Sequence, residues 1–271
     1  MAFVLLVIFF MDNRPIGFFD SGVGGLSVLI EAQKILPNES IIFLADQKYV
    51  PYGGKTKEEL VDRVGKAMDF FVKMDVKAVV FACNTATVYT INEMRERFSL
   101  PIIGTVPVVK VLARITKSGK TAVFSTPATA KSPYLSELIN KFAPGIEVKK
   151  IGGSNLEELV EKGNLENSEI ERVLNEILPP LVEGGVDAIA LSCTHYPFLK
   201  DKIQKIVGEK VSVVDSGGAV SRRLLEVLTN NKALASEKKL EKYYTTGDKE
   251  RFEVVASELM ERKIEAEQVD L

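Results

Sequence analysis

Apolar residues in this chain fall into short runs, separated by longer stretches in which they recur every three or four positions. The runs are Ile16–Phe19, Ile41–Ala45, Ala78–Ala82, Ile102–Thr105, Thr121–Phe124, Ile146–Ile151, Ala188–Leu191 and Val211–Val214. The amphipathic stretches are Leu26–Ile35, Thr56–Met74, Ala86–Phe98, Pro133–Phe142, Asn155–Glu161, Ser168–Glu183 and Leu199–Ile206. A strand with one wet face alternates apolar and polar residues, so continuous runs predict sheets covered on both sides. Alternation of such strands with helices predicts an α/β protein built from βαβ units with mainly parallel sheets.

Two segments resemble each other, and each carries one of the two cysteines. Residues 76–86 read VKAVVFACNTA and residues 186–196 read VDAIALSCTHY. A second pair, Phe18-Phe19-Asp20-Ser21 and Val123-Phe124-Ser125-Thr126, is offset by 105 residues, close to the 110 between Cys83 and Cys193. The expected organisation is therefore two similar domains, each a mainly parallel sheet flanked by helices. One comprises 11–107 with 217–271, the other 108–216, and the apolar segment 1–10 stands apart as an extension. The chain after Ser216 reads as mostly helical, returning to the first half. In open parallel sheets, ligands bind beyond the carboxyl ends of the strands. Asp20-Ser21, Cys83-Asn84-Thr85, Ser125-Thr126 and Cys193-Thr194-His195 each follow an apolar run, so all four clusters are expected to meet in a cleft between the halves.

Composition narrows the function classes. The 35 Lys and Arg against 37 Asp and Glu give a formal net charge of −2, without the basic footprint of a nucleic-acid binder. Ala2 to Phe10 is apolar but far shorter than the ~18 residues that span a bilayer, and it lacks a basic leader and a cleavage site. It reads as a start upstream of the natural Met11, or as an apolar arm, in a cytoplasmic protein with no membrane partner. Two cysteines make no disulfide framework, and with a single histidine they make no zinc site. By burial habit alone a free cysteine is an inert core residue.

Position argues otherwise. Each cysteine ends a strand and precedes a helix or turn, where exposed backbone N–H groups favour a thiolate. Asn84, Thr85 and Thr194 add hydrogen-bonding groups for a small zwitterion. The glycine-rich turn after Asp20 lets backbone approach a ligand closely, though Asp20 or Ser21 could equally cap the helix at Leu26. It has neither a dinucleotide fingerprint nor a Walker lysine. His195, two residues after Cys193, is placed to set that thiol's protonation. Asp46 and the turn Pro51-Tyr52-Gly53-Gly54 form either a simple connection or a wall of the cleft.

The motifs IGFFDSGVGGLSVL, ADQKYVPYG, ACNTAT, TPAT, LSCTHYPFL, VDSG and YYTTGDKERF, in this order from about Arg14 to Leu259, together resemble the glutamate racemase family. DSGVGG separates that family from its aspartate racemase relatives. The resemblance implies a cofactor-independent isomerase that interconverts L- and D-glutamate for peptidoglycan synthesis, and often a homodimer. It implies that Cys83 and Cys193 are the two acid/base catalysts, aided by Asp20, His195 and Glu161. It implies substrate contacts at Asp20, Ser21, Tyr52, Gly53, Asn84, Thr85, Thr126, Thr194 and His195. Asp20 would hold the substrate ammonium and share a proton with the reacting thiol. Ala45 and Ser125 stand where the family usually has glycine, and IGGSNLEE before Glu161 departs from the family pattern. Residues 1–10 have no counterpart there. Two other readings stay open on the residues alone: a racemase of another amino acid such as aspartate, and a two-lobed module that binds a small acid without turnover.

Overall fold

The computed structural model describes residues 11–153 and 155–271; the proposed extension 1–10 lies outside them. Among the described residues, ten strands form two sheets. β1 (Ile16–Asp20), β2 (Ile41–Ala45), β3 (Ala78–Phe81) and β4 (Ile102–Gly104) belong to the first, with β9 (Glu241–Thr245) and β10 (Ala266–Gln268). β5 (Lys120–Ser125), β6 (Glu147–Gly152), β7 (Ala188–Leu191) and β8 (Ser212–Asp215) form the second. Every pairing is parallel.

The order in the first sheet is β10-β9-β2-β1-β3-β4 and in the second β6-β5-β7-β8. Once β9 and β10 are set aside, the two sheets follow the same path: central strand first, one step to one side, then two to the other. The chain reverses direction across the sheet between β1 and β3, and again between β5 and β7. Those reversals are the crevices where open α/β sheets bind ligands. Asp20 ends β1 and Cys83 follows β3; Ser125 ends β5 and Cys193 follows β7. The internal repeat in the sequence is thus a repeat of topology, and its chemical residues lie at equivalent corners.

The packing explains the continuous apolar strands. Ile16, Phe18, Phe43 and Val80 face a core shared with Ala122, Phe124, Ile189 and Leu191 of the second sheet. The intervening Phe19, Ile42, Leu44, Val79 and Phe81 face a separate layer with Leu60, Val64, Met68 and Phe71 of the helix Lys57–Lys73. Val123, Ala188 and Ala190 do the same on the far side of the second sheet. Burying both faces leaves no polar register, hence no alternation.

Three expectations need amendment. The region after Ser216 does return to the first sheet, but it carries β9 and β10 as well as the helices Gly217–Asn230 and Lys249–Leu259. The polar start of EKYYT and the three-residue β10 hid these strands. The stretch 168–183 is two helices, Ser168–Ile177 and Pro179–Glu183, because Pro179 and Pro180 cannot donate into the preceding turn. The short helices Val109–Ile115 and Pro127–Lys131 have no expected counterpart.

At the edge opposite the cysteines, Lys77 and Glu39 form an ion pair at 2.5 Å with side chains 1% and 2% exposed. Lys77 also donates to the carbonyls of Asp12 and Ala233, tying the strand starts to the C-terminal segment. Removing one partner strands the other charge in the interior. Lys77→Met should cost about 3 kcal/mol, read as a lowered urea midpoint, and Lys77→Met with Glu39→Leu should recover much of it. An unchanged midpoint in the single variant would contradict this.

Candidate active site

Both sulfurs face one small cavity between the sheets. It is lined by Ser21, Val50, Pro51, Tyr52, Gly53, Cys83, Asn84, Thr85, Thr126, Glu157, Cys193, Thr194 and His195, and leaves about 20 Å³, room for roughly one water. An amino acid can enter only if the walls part. Of the residues that the sequence singled out, ten therefore share this surface, while Asp20 and Glu161 stand behind it. The cysteines are free thiols.

Asp20 is fully buried, and neighbours occupy both of its oxygens. Oδ1 accepts from the Gly22 N–H at 2.6 Å and from Ser21 Oγ at 3.4 Å; Oδ2 accepts from Thr194 Oγ1 at 3.0 Å. Asp20 itself does not line the closed cavity, and Oδ2, with a single donor, keeps a free lone pair. Ser21 Oγ is in turn 3.6 Å from Cys83 Sγ, so the hydroxyl bridges carboxyl and thiol. Burial raises the Asp20 pKa to about 7 against the opposing pull of His195 and the Gly22 N–H.

A second chain of the same kind serves Cys193. Its Sγ lies 3.6 Å from His195 Nδ1, and His195 Nε2 lies 2.6 Å from Glu161 Oε1. Burial alone would push the imidazole pKa down. The hydrogen bonds and charges of Cys193 and Glu161 outweigh burial and hold it well above its usual value. Burial likewise works against Glu161, but His195, Gln47 and the Val23 N–H bring its pKa below the ordinary range. His195 and Glu161 are therefore an ion pair at neutral pH.

Strand-end placement was expected to favour thiolates. Cys83 does cap the helix Asn84–Arg97, accepting from the Ala86 N–H at 3.4 Å. Burial wins all the same, with Asp20 adding to it, and the Cys83 pKa rises to about 12. Burial also raises Cys193, partly offset by His195. Both groups rest as thiols, and whichever loses its proton becomes a strong base.

The glycine turn has a steric reason. A Cβ on Gly22 would lie 1.8 Å from Glu161 Oε1, and one on Gly24 would lie 2.5 Å from His195 Nδ1 and 2.7 Å from Thr194 Oγ1. The β1 turn is thus pressed against the Cys193 side of the site, and the Val23 N–H bonds Glu161 at 2.6 Å. The Tyr52 hydroxyl donates to Asp46 Oδ2 at 2.6 Å, and Tyr52 and Gly53 both line the cavity. Asp46 also holds the Arg63 guanidinium at 2.7 Å, and Arg63 lies over the Tyr49 ring. Thr85, Thr126 and Thr129 hydroxyls bridge the halves at 3.2 to 3.4 Å.

Sequence reading missed Glu157 and the Asp46–Arg63 pair. Glu157 stands four residues before Glu161 on the helix Leu156–Glu161, a spacing that places both on one face. Arg63 gave no signal, since its partner lies across a loop. Among the described residues, no group of three or more His, Cys, Asp and Glu side chains is arranged to hold a metal ion, and no helix is long and apolar enough to cross a membrane.

Comparison with known proteins places these features in a family context. A family profile described as Asp/Glu/Hydantoin racemase matches residues 27–224. A glutamate racemase of Deinococcus radiodurans is 43% identical over 238 residues, covering 86% of this chain and 82% of the relative. A crystal structure of a glutamate racemase from Bacillus anthracis superposes with a TM-score of 0.87 at 32% identity, covering 96% of this chain and 98% of that one. One from Francisella tularensis, in complex with D-glutamate, gives 0.84 at 31%, with the same coverage.

The tight turn yields a test. Gly24→Ala must displace His195 or Thr194, so it should lower kcat about 10²-fold, the scale of a misplaced acid/base group, with little loss of thermal stability. Undiminished kcat would contradict the packing described.

Proposed function

The chain belongs to the Asp/Glu/Hydantoin racemase family, and from that membership we propose that it interconverts L- and D-glutamate without a cofactor, passing the α-proton between Cys83 and Cys193. The observation that carries the reading is the pair of free thiols on one cavity, each backed by its own buried carboxyl through a hydroxyl or an imidazole. Two such faces are what inversion at carbon needs: one thiolate removes the α-proton while the opposite thiol protonates the other side.

On one side, Ser21 and Asp20 take up the Cys83 proton; Asp20, with a pKa of about 7, can hold or release it near neutrality. On the other, the His195 imidazolium, charged against Glu161, supports Cys193 as a thiolate. Removing a proton next to a carboxylate builds negative charge on that carboxylate. The backbone N–H groups of Asn84 and Thr85, at the start of the helix Asn84–Arg97, would donate there, worth most in a cavity that excludes water. The remaining backbone donors, Tyr52-Gly53, and the Thr126 hydroxyl suit the distal carboxylate of glutamate. Reduced thiols fit a cytoplasmic setting, where disulfides do not persist. D-Glutamate so produced would serve peptidoglycan synthesis.

Purified protein incubated with L-glutamate should lose optical rotation with no added cofactor, and L-aspartate should not. Cys83→Ala and Cys193→Ala should each cut racemisation by at least about 10²- to 10⁴-fold while the chain stays folded. Retained turnover in either variant would overturn the mechanism.

The raised Asp20 pKa fixes a pH dependence. Above about pH 7 Asp20 is a carboxylate and accepts the Cys83 proton; below it is protonated and cannot. The kcat in the direction that uses Cys83 as base should therefore rise with pH through about 7. Asp20→Asn should flatten that limb and change the opposite direction less. An unaltered profile would remove Asp20 from the proton path.

A further inference from the structure

One wall of the two-thiol cavity is carried by a loop. Val50, Pro51, Tyr52 and Gly53 all line the cavity and belong to no strand. Cys83 and Cys193, by contrast, each stand two residues past the end of a strand. Val50 and Pro51 also line an outer cavity of about 300 Å³, so the loop separates that space from the thiols. With no ladder to hold it, the wall takes its position from side-chain tethers.

Two tyrosines flank Val50-Pro51, and Arg63 of the helix Lys57–Lys73 holds both. Its guanidinium carbon lies 3.7 Å from the centre of the Tyr49 ring. It reaches Tyr52 through Asp46. Asp46 Oδ1 accepts from Arg63 Nη2 at 2.7 Å, and Oδ2 accepts from Arg63 Nε at 3.1 Å and from the Tyr52 hydroxyl at 2.6 Å. The pair is braced from two further directions. Thr246 Oγ1, just past β9, donates to Asp46 Oδ1 at 2.8 Å, and Arg63 Nη1 donates to the Leu271 carbonyl at 3.2 Å. Both side chains are buried, Arg63 at 7% and Asp46 at 0% exposure, yet neither lines the cavity. A guanidinium bound through two nitrogens is a rigid fork, and its flat face stacks on an aromatic ring. A lysine reproduces the charge but neither of these constraints.

We propose that Arg63 is a positioning residue for substrate binding, fixing the Val50–Gly53 wall of the cavity through Asp46 and Tyr49. The proposal rests on the racemase reading for its substrate. On that reading Tyr52 and Gly53 receive the distal carboxylate, so a displaced wall weakens binding. The proton paths contain none of these groups: Ser21 and Asp20 stand behind Cys83, and His195 and Glu161 behind Cys193. The rates of proton transfer should therefore be largely spared.

The test separates affinity from turnover. Arg63→Met would leave the Asp46 carboxylate buried without its cation and would report on folding. Arg63→Lys keeps a charge but loses the fork and the stacking, and Tyr52→Phe cuts the link to Asp46 without stranding a charge. Calorimetric titration of the full chain with D-glutamate should show each variant weakened about 10-fold or more. The kcat for L-glutamate should stay within about threefold of wild type. Because both variants loosen one wall, Arg63→Lys with Tyr52→Phe should weaken binding by less than the product of the single effects. A merely structural role lowers the amount of active protein, and so kcat, while affinity stays the same; that outcome would overturn the proposal. Unchanged affinity in Tyr52→Phe would overturn it even if Arg63→Lys does not fold. Full multiplicativity in the double variant would overturn the route through Asp46. Wild type that binds D-glutamate but leaves the rotation of L-glutamate unchanged would overturn the proposed function while the affinity comparison still decides; wild type that binds no glutamate overturns both.

Discussion

The site depends on a reciprocal exchange of buried carboxyls between the two sheets. Asp20, at the end of β1, accepts the hydroxyl of Thr194, which follows β7, and Glu161, at the end of the helix Leu156–Glu161 between β6 and β7, accepts the Val23 N–H beside β1. Each carboxyl thus belongs to one half and is satisfied partly by the other. Burying such groups without partners would cost several kcal/mol apiece. The halves therefore have to meet in one register for these groups to be satisfied, and that register sets both sulfurs on one cavity. Gly22 and Gly24 make the approach sterically possible, since side chains there would occupy the space of Glu161, His195 and Thr194.

The same exchange makes the two thiols chemically unlike despite the repeated topology. Cys83 is linked through a neutral hydroxyl to a carboxyl that titrates near neutrality; Cys193 is linked through an imidazolium to a carboxylate that does not. In the proposed reaction, a duplicated scaffold would thus present two bases of different strength to opposite faces of one carbon. Because equilibrium between enantiomers is fixed by the substrate, this asymmetry changes only the rates of the separate proton transfers.

Much of this was legible before any coordinates. Apolar runs gave the eight strands of the repeated sheets; in β1, β2, β3 and β7 burial of both faces removes the polar register, while the edge strands β6 and β8 keep polar residues and are partly exposed. The paired cysteine motifs led to the cavity that both sulfurs line, because parallel strands deliver their carboxyl ends to one edge. What escaped were features with no local signature. β9 and β10 extend an existing sheet, so neighbouring strands supply pairing that their own sequence does not advertise. The rise in thiol pKa follows from burial by the opposite half, which outweighs the helix end that the local sequence reveals. Asp20 was marked by its place after β1, while its bonds to the turn and to Thr194 arise only in the assembled fold. Glu157 went unremarked because its place on the cavity wall depends on the assembled fold rather than on its neighbours in sequence.

The central claim is that separate sulfurs handle the two proton transfers. Racemisation of L-glutamate in D2O, sampled before the first few per cent of conversion, tests it most directly by the isotopic content of both enantiomers. Two facing thiols predict D-glutamate carrying solvent deuterium at Cα from the outset while the remaining L-glutamate keeps its proton. D-Glutamate that retains the original proton, or deuterium appearing equally fast in recovered L-glutamate, would mean that one group serves both faces and would contradict the account.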